Sequence, residues 1–242
     1  MKNFQNKSIG EIVAEDYSTI SVFKKNGIDF CCNGNKSISD VCIDKQIDPD
    51  KLLHEIESVK QHIHEKIPDF QSWPLDLLTD YIEKKHHRYV EEKIPLLRQY
   101  LEKIVQVHGD RHPELLEILK HFNASAGDLT AHMKKEEFML FPFIRKMVQS
   151  QQRGAQLAQP HFGTVQNPIQ MMMQEHDMEG GRFGEISNLS NNYLPPEDAC
   201  NTYKITFASL REFEDDLHLH IHLENNILFP KAIELEKMLA NG

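Results

Sequence analysis

The sequence predicts an all-α protein, a four-helix up-down bundle preceded by a small helical N-terminal domain. Three observations predict it. Apolar residues recur at the helical period over four long stretches beyond residue 75, and strand-like alternation is nearly absent. The 11 glycines and 11 prolines fall mostly at the breaks between such stretches. One segment occurs twice: His132-x-x-x-Glu136-x-x-x-Leu140-Phe141-Pro142 returns as His220-x-x-x-Glu224-x-x-x-Leu228-Phe229-Pro230, as in a helix hairpin used two times.

Residues 1–66 form the small domain. Short helices are expected over 9–16 and 18–26, the second stopped by Gly27. The turn Ile28-Asp29-Phe30-Cys31-Cys32-Asn33-Gly34-Asn35 follows, then a short helix over 37–46. Asp48 before Pro49 is an N-cap followed by proline at the first helical position, opening a helix to about His64. Residues 67–74, with two prolines and Trp73, read as a linker, Trp73 packing at the domain junction. The bundle occupies 75–242. Its helices run over about 75–108, stopped by Gly109; 113–149; 167–191, opened by Asn167-Pro168; and 195–239, opened by Pro195-Pro196. Pro95, Pro142 and Pro230 lie inside helical patterns, where a missing N–H should kink or end the helix.

Composition narrows the function. With 242 residues, 40% hydrophobic and 26% charged, the chain can bury a real core. Its 27 basic against 37 acidic residues leave a net charge of −10, which disfavours nucleic acid or an anionic membrane as partner. No apolar run reaches the ~18 residues of a membrane span, and the start lacks the apolar core of a signal peptide. Four cysteines without export signals imply reduced thiols in a cytoplasm. The 14 histidines point to metal.

Spacing selects which histidines. His and Glu four apart share a helix face and can reach one site. Each HxxxE pair has a histidine one helix earlier, His87 before His132 and His176 before His220. Periodicity places His87, His132, Glu136, His176, His220 and Glu224 on apolar stripes. His86 is placed with Lys93, and His218 and His222 with Arg211, Asp215 and Asn226. Buried, unpaired His and Glu are costly, and a shared metal removes the cost. Four imidazoles and two carboxylates suit a redox-capable iron or manganese pair better than structural zinc. Asp128 and Asp216, each four before an HxxxE histidine, could accept a second imidazole N–H or be solvated surface charges. Cys31 and Cys32 read either as small buried hydrophobes or as a thiol pair able to bind iron, accept a nitrosyl group or exchange electrons. Cys42 and Cys200 are assigned to the core, Met171, Met172 and Met173 to core filler, and Lys24-Lys25 to a solvated face.

These residues resemble a known family. The bundle is similar to the hemerythrin-like domain, and the whole chain, with its Cys31-Cys32-Asn33-Gly34 turn, resembles the RIC (repair of iron centres) family of ScdA/YtfE type. The resemblance rests on that turn, on Lys85-His86-His87-Arg88-Tyr89, on both HxxxExxxLFP segments and on Glu175-His176-Asp177. It implies a non-haem centre of two iron ions, oxo- or hydroxo-bridged, with His87, His132, Glu136, His176, His220 and Glu224 as ligands and both glutamates bridging. Which of His86 and His87 is the ligand stays open.

Three functions are compatible. The family resemblance implies repair of iron–sulfur clusters damaged by nitric oxide or oxidants, with labile iron given to damaged iron–sulfur proteins and the cysteine turn assisting. A nitric-oxide reductase is the second, forming nitrous oxide with electrons from an unidentified donor. An O2- or NO-binding sensor is the third. The sequence fixes neither the recipient nor the oligomeric state, a homodimer included. Glu136→Ala and Glu224→Ala should lower bound iron more than His86→Ala, and equal iron in all three variants, measured by elemental analysis, would refute the ligand assignment.

Overall fold

The computed structural model describes residues 7–62 and 68–241, and its regular elements there are all helical. The expected helix end at His64 and the start of the linker at Ile67 lie outside the described residues. In the N-terminal domain, α1 (Ile9–Glu15), α2 (Ile20–Lys25), α3 (Ile38–Lys45) and α4 (Pro49–His62) follow the sequence reading closely. Ser8 and Ser37 each close a capping box, with Glu11 and Asp40, so both helices start where a side-chain oxygen takes an orphan amide. Gly27 turns left-handed at φ +63°, ending the second helix as expected.

Four rods form the bundle. The first joins α5 (Leu75–Tyr81) to α6 (Arg88–His108), and the second joins α7 (Glu114–Lys135) to α8 (Phe141–Arg153). The third is α9 (Gln166–Leu189), and the fourth joins α10 (Asn201–Leu223) to α11 (Phe229–Asn241). Leu97, Leu101, Phe122, Leu129, Phe183, Ile186, Leu210 and Phe213 are sealed between them. Each such side chain contributes about 1.5–3 kcal/mol of burial.

Several boundaries differ from expectation. Pro195-Pro196 do not open the fourth rod, which starts at Asn201 after Cys200. Asn191, Asn192 and Tyr193 all turn left-handed (φ 49°, 57° and 59°), ending α9 early, and residues 194–200 cross to α10 with Ala199 N–H donating to Pro196 C=O. The second rod runs on to Arg153, where Gly154 caps it at φ +60°. Pro95 stays inside α6 without ending it. Of the three methionines only Met172 is core, since Met171 and Met173 are exposed. Cys42 is buried as expected, but Cys200 is exposed at the start of α10.

The N-terminal domain docks on one face of the fourth rod. Asn226 Nδ2 donates to the carbonyls of Phe30 (3.3 Å) and Cys31 (3.2 Å). His222, read as part of a polar face, is fully buried there, its ring 5.5 Å from Tyr17 and 5.9 Å from Phe30. His218 lies edge-on to Phe30, and Lys24, assigned to a solvated face, pairs with Asp215 across the junction. The periodicity was right that these residues share a face; the N-terminal domain covers its His218, His222 and Asn226 end, while Arg211 and Asp215 stay exposed. Trp73 packs on Phe70 and Tyr81, and Phe70 on Tyr17, an aromatic chain through the junction.

The fit at this junction needs glycine. A Cβ on Gly34 would lie 2.6 Å from Asn226 Oδ1 and 2.7 Å from the Phe30 carbonyl. Gly34→Ala is therefore expected to cost about 1–3 kcal/mol by overpacking. Gly181→Ala, in α9 with nothing within reach of its Cβ, should be neutral or stabilising by up to about 1 kcal/mol. Urea denaturation of the two variants checks the contrast.

Candidate metal centre

Three of the four rods change their winding where the candidate residues sit. Ile82–His87, Glu136–Leu140 and Glu224–Leu228 are π-turns, a feature concentrated at functional sites. The amide of Phe141 reaches back to the Glu136 carbonyl, and that of Phe229 to Glu224, five residues in each case. Pro142 and Pro230 follow directly. Having no N–H, they lose nothing where the ordinary ladder is broken. The prolines of the repeated LFP thus accompany a wide turn and do not end the rods.

The wide turns also alter which side chains face inward. His86, assigned by regular periodicity to the Lys93 side, is fully buried alongside His87, because the π-turn brings both neighbours inward. Its ring stacks on His220 at 5.5 Å. It does not join either buried group described next.

The six sequence-selected residues converge. His87, Glu136, His220 and Glu224 form one buried quartet, and His132, Glu136, His176 and Glu224 form a second. Within each quartet the ligand-type atoms lie within 4.8 Å of one another. Both carboxylates belong to both quartets. Glu136 Oε2 lies 3.4 Å from His87 Nε2 and 3.3 Å from His132 Nε2. Glu224 reaches His220 Nε2 at 3.1 Å and His176 Nε2 at 3.2 Å.

Partners behind the rings fix their orientation. His132 Nδ1 lies 2.8 Å from Glu175, His87 Nδ1 3.1 Å from Glu137 and His176 Nδ1 2.8 Å from Asn225 Oδ1. Asn225 Nδ2 donates to the Cys31 carbonyl at 3.3 Å, so its oxygen faces His176 and the His176 hydrogen sits on Nδ1. Glu175 likewise holds a hydrogen on His132 Nδ1. Both Nε2 atoms then present lone pairs, yet they lie 3.0 Å apart. Such an approach needs a cation between or beside them.

Either a proton or a metal can supply that charge. Burial opposes charging His132, but Glu136 and Glu175 outweigh it and push its pKa up to about 10. Burial and Glu224 work against ionised Glu136, and the surrounding imidazoles overcome them, holding it below the carboxylate range. Glu224 falls well below that range for the same reason. His220 goes the other way, because burial dominates and lowers it. Even so, both oxygens of Glu136 and Glu224 and the Nε2 atoms of His87 and His220 are buried without a hydrogen-bond partner. Orphaned nitrogen and oxygen donors aimed at common points fit a metal site.

The second partners were largely missed from the sequence. Glu137, Glu175 and Asn225 each adjoin a selected residue, and that adjacency was the only available signal. Asp216 lies 3.1 Å from His86 Nδ1 and not behind His220. Asp128 is an exposed surface charge paired with Arg182 at 2.8 Å. A cavity of about 180 Å³ between α7 and α9 reaches His132 and His176, with Lys135 and Glu175 in its wall.

The cysteine turn meets the centre from outside. Asp29 Oδ1 accepts the amides of Cys31 and Cys32, both at 3.0 Å, and forms a third compact group with the two thiols. The sulfurs lie 3.7 Å apart. Cys32 Sγ is 3.5 Å from the His176 carbonyl. Contact with Cys32 and burial keep the Cys31 thiol protonated, its pKa raised well above the ordinary value.

Comparison with known proteins places this geometry. Residues 5–60 match ScdA_N, a domain of unknown function, and residues 79–232 match the hemerythrin HHE cation-binding domain. An iron-sulfur cluster repair protein YtfE of Yersinia pseudotuberculosis (strain IP 31758) is 32% identical over 234 residues, 97% of this chain and 100% of that protein. The protein of the same name from Yersinia pestis (strain Pestoides F) shows the same identity and coverage.

Metal binding must displace the proton that His132 holds at any pH below about 10 in the metal-free protein. Apparent metal affinity is therefore expected to rise with pH across that range, by up to about tenfold per unit for each proton released. Asn225→Leu, which frees the His176 ring, should weaken metal binding about 10–100-fold. Competition titrations with a chelator at several pH values measure both effects.

Proposed function

Because the chain belongs to the RIC family, two-domain iron–sulfur cluster repair proteins with a hemerythrin-like bundle, we propose that it holds two iron ions and supplies iron to damaged iron–sulfur proteins. One observation carries the reading. Glu136 and Glu224 each belong to both histidine quartets, so two cations can share two negative charges among fully buried carboxylates. His87 and His220 would hold one ion, His132 and His176 the other, and both glutamates would bridge.

The donor set supports lability. Imidazole and carboxylate hold ferrous iron less firmly than thiolate cages do, and imidazoles release metal as they gain protons. His132, with carboxylates on both sides, is the ring most ready to take that proton. When bound, the ions supply iron as cargo and open coordination positions for NO or O2. The Asp29, Cys31 and Cys32 group, set against the His176 backbone, is a handover point for iron leaving that side. Free thiols in this role fit a reducing cytoplasm. Among the described residues no helix is long and apolar enough to cross a membrane.

The adjacency of the quartets also supports a second reading, reduction of nitric oxide to nitrous oxide with electrons from a separate donor. The discriminating experiment starts from protein purified without added metal. Two irons per chain are expected, one for each quartet. That protein should rebuild the cluster of an apo-ferredoxin given sulfide, and Glu136→Ala should not. Iron retained by the wild type in the presence of the apo-protein would refute donation. Steady nitrous oxide formation with a reductant would then favour the second reading.

A further inference from the structure

A separate group of reactive side chains lies at the far end of the bundle. His108 is the last residue of α6, 21 residues beyond His87, or about 30 Å along the helix axis. Cys200 is the N-cap of the 23-residue α10. The two helix ends meet so that His108 Nε2 lies 3.2 Å from Cys200 Sγ. The imidazole is only 4% exposed, and Tyr203 packs edge-on against it at 5.4 Å. The cysteine is exposed.

We propose that Cys200 and His108 form a metal-independent thiol site that exchanges with small disulfides. Arg111 Nη2 lies 3.4 Å from His108 Nδ1 and, having no acceptor, can only donate to it. The neutral ring therefore carries its hydrogen on Nε2 and directs it at the sulfur. The sulfur also sits at the positive end of the α10 dipole. Disulfide exchange runs through a negatively charged attacking sulfur, and the imidazole N–H and the helix N-terminus are both placed at the atom where that charge forms.

The surroundings narrow the chemistry. Asp198 is occupied by Arg111 and by His112 Nε2 at 3.0 Å, and His112 Nδ1 faces Glu114 at 3.1 Å. His108, Cys200 and Asp198 do not form a compact ligand group like those around Glu136 or Asp29. A metal cage is thus not built here. The other three cysteines, Cys31, Cys32 and Cys42, belong to the N-terminal domain, so no neighbouring protein thiol resolves a product at Cys200. In the exchange, the S–S bond of the small disulfide breaks and a bond forms from one half to Cys200 Sγ. The other half leaves as a thiolate and takes the proton that Cys200 gave up. No net oxidation occurs, and the mixed disulfide persists as a reversible mark.

The test uses the metal-loaded full chain and glutathione disulfide, with adducts located by peptide mass mapping. Adduct formation on Cys200 should run about tenfold faster than on a synthetic peptide of residues 196–205 under the same conditions. His108→Phe, which keeps the ring against Tyr203 but removes the N–H, should fall to the rate of the peptide. Cys200→Ser should abolish this adduct and keep its iron. A wild-type rate at or below that of the peptide overturns the proposal, even if His108→Phe fails to fold. So does an unchanged rate in a folded His108→Phe variant.

Discussion

Two carboxylates sharing one buried space set the terms for the rest of the molecule. Glu136 and Glu224 are fully buried, and each feels the other's charge. Burying one unpaired carboxylate would cost several kcal/mol, and two facing each other cost more. Each of the four rods contributes a histidine facing them, and the compensating positive charge comes from a proton on His132 or from a metal ion. Those rings in turn need partners behind them, which Glu137, Glu175 and Asn225 provide. The apolar layers of Leu97, Phe122, Phe183 and Phe213 give the rods the rigidity to hold these groups in place.

The π-turns follow from the same constraint. A regular helix presents one residue per turn to a given line, whereas this centre needs neighbouring residues to serve different roles. At 224–226, Glu224 enters the quartets, Asn225 orients His176 and Asn226 grips the N-terminal domain. Three consecutive residues thus join metal chemistry, ring orientation and domain docking. The cost is a broken stretch of helical ladder, and the proline of each LFP makes that break cheaper.

That requirement also explains what the sequence made legible. The six candidate residues could be read because charge and imidazole recurred on apolar stripes at matched spacing, a pattern ordinary core packing rarely produces. The rods were readable from their apolar period and its Gly and Pro breaks, and among the short helices Gly27 marked a stop and Asp48-Pro49 a start. His86 was misplaced because regular periodicity cannot anticipate a π-turn. His222 and Lys24 were assigned to water because a single helix face does not say what will cover it. Glu175 and Asn225 were missed because their role depends on which rod lies opposite. Cys200 was misread as core because thiol burial depends on the path of residues 190–200, which three left-handed residues redirect.

The manner of docking bears on how the thiols can act. The N-terminal turn is held chiefly through backbone carbonyls, those of Phe30 and Cys31, which accept from Asn225 and Asn226, and of the two sulfurs only that of Cys32 adds a contact, to the His176 carbonyl. Cys32 lies between the His176 backbone and an inter-domain cavity of about 820 Å³ that both cysteines line. A change at a thiol placed this way leaves intact the hold of Asn225 on the Cys31 carbonyl and on the His176 ring. Had the sulfurs carried the docking, every change of state would have loosened the domain and with it the orientation of His176. Because carbonyls carry most of the docking, the orientation of the buried centre does not depend on the state of the thiols at its outer edge.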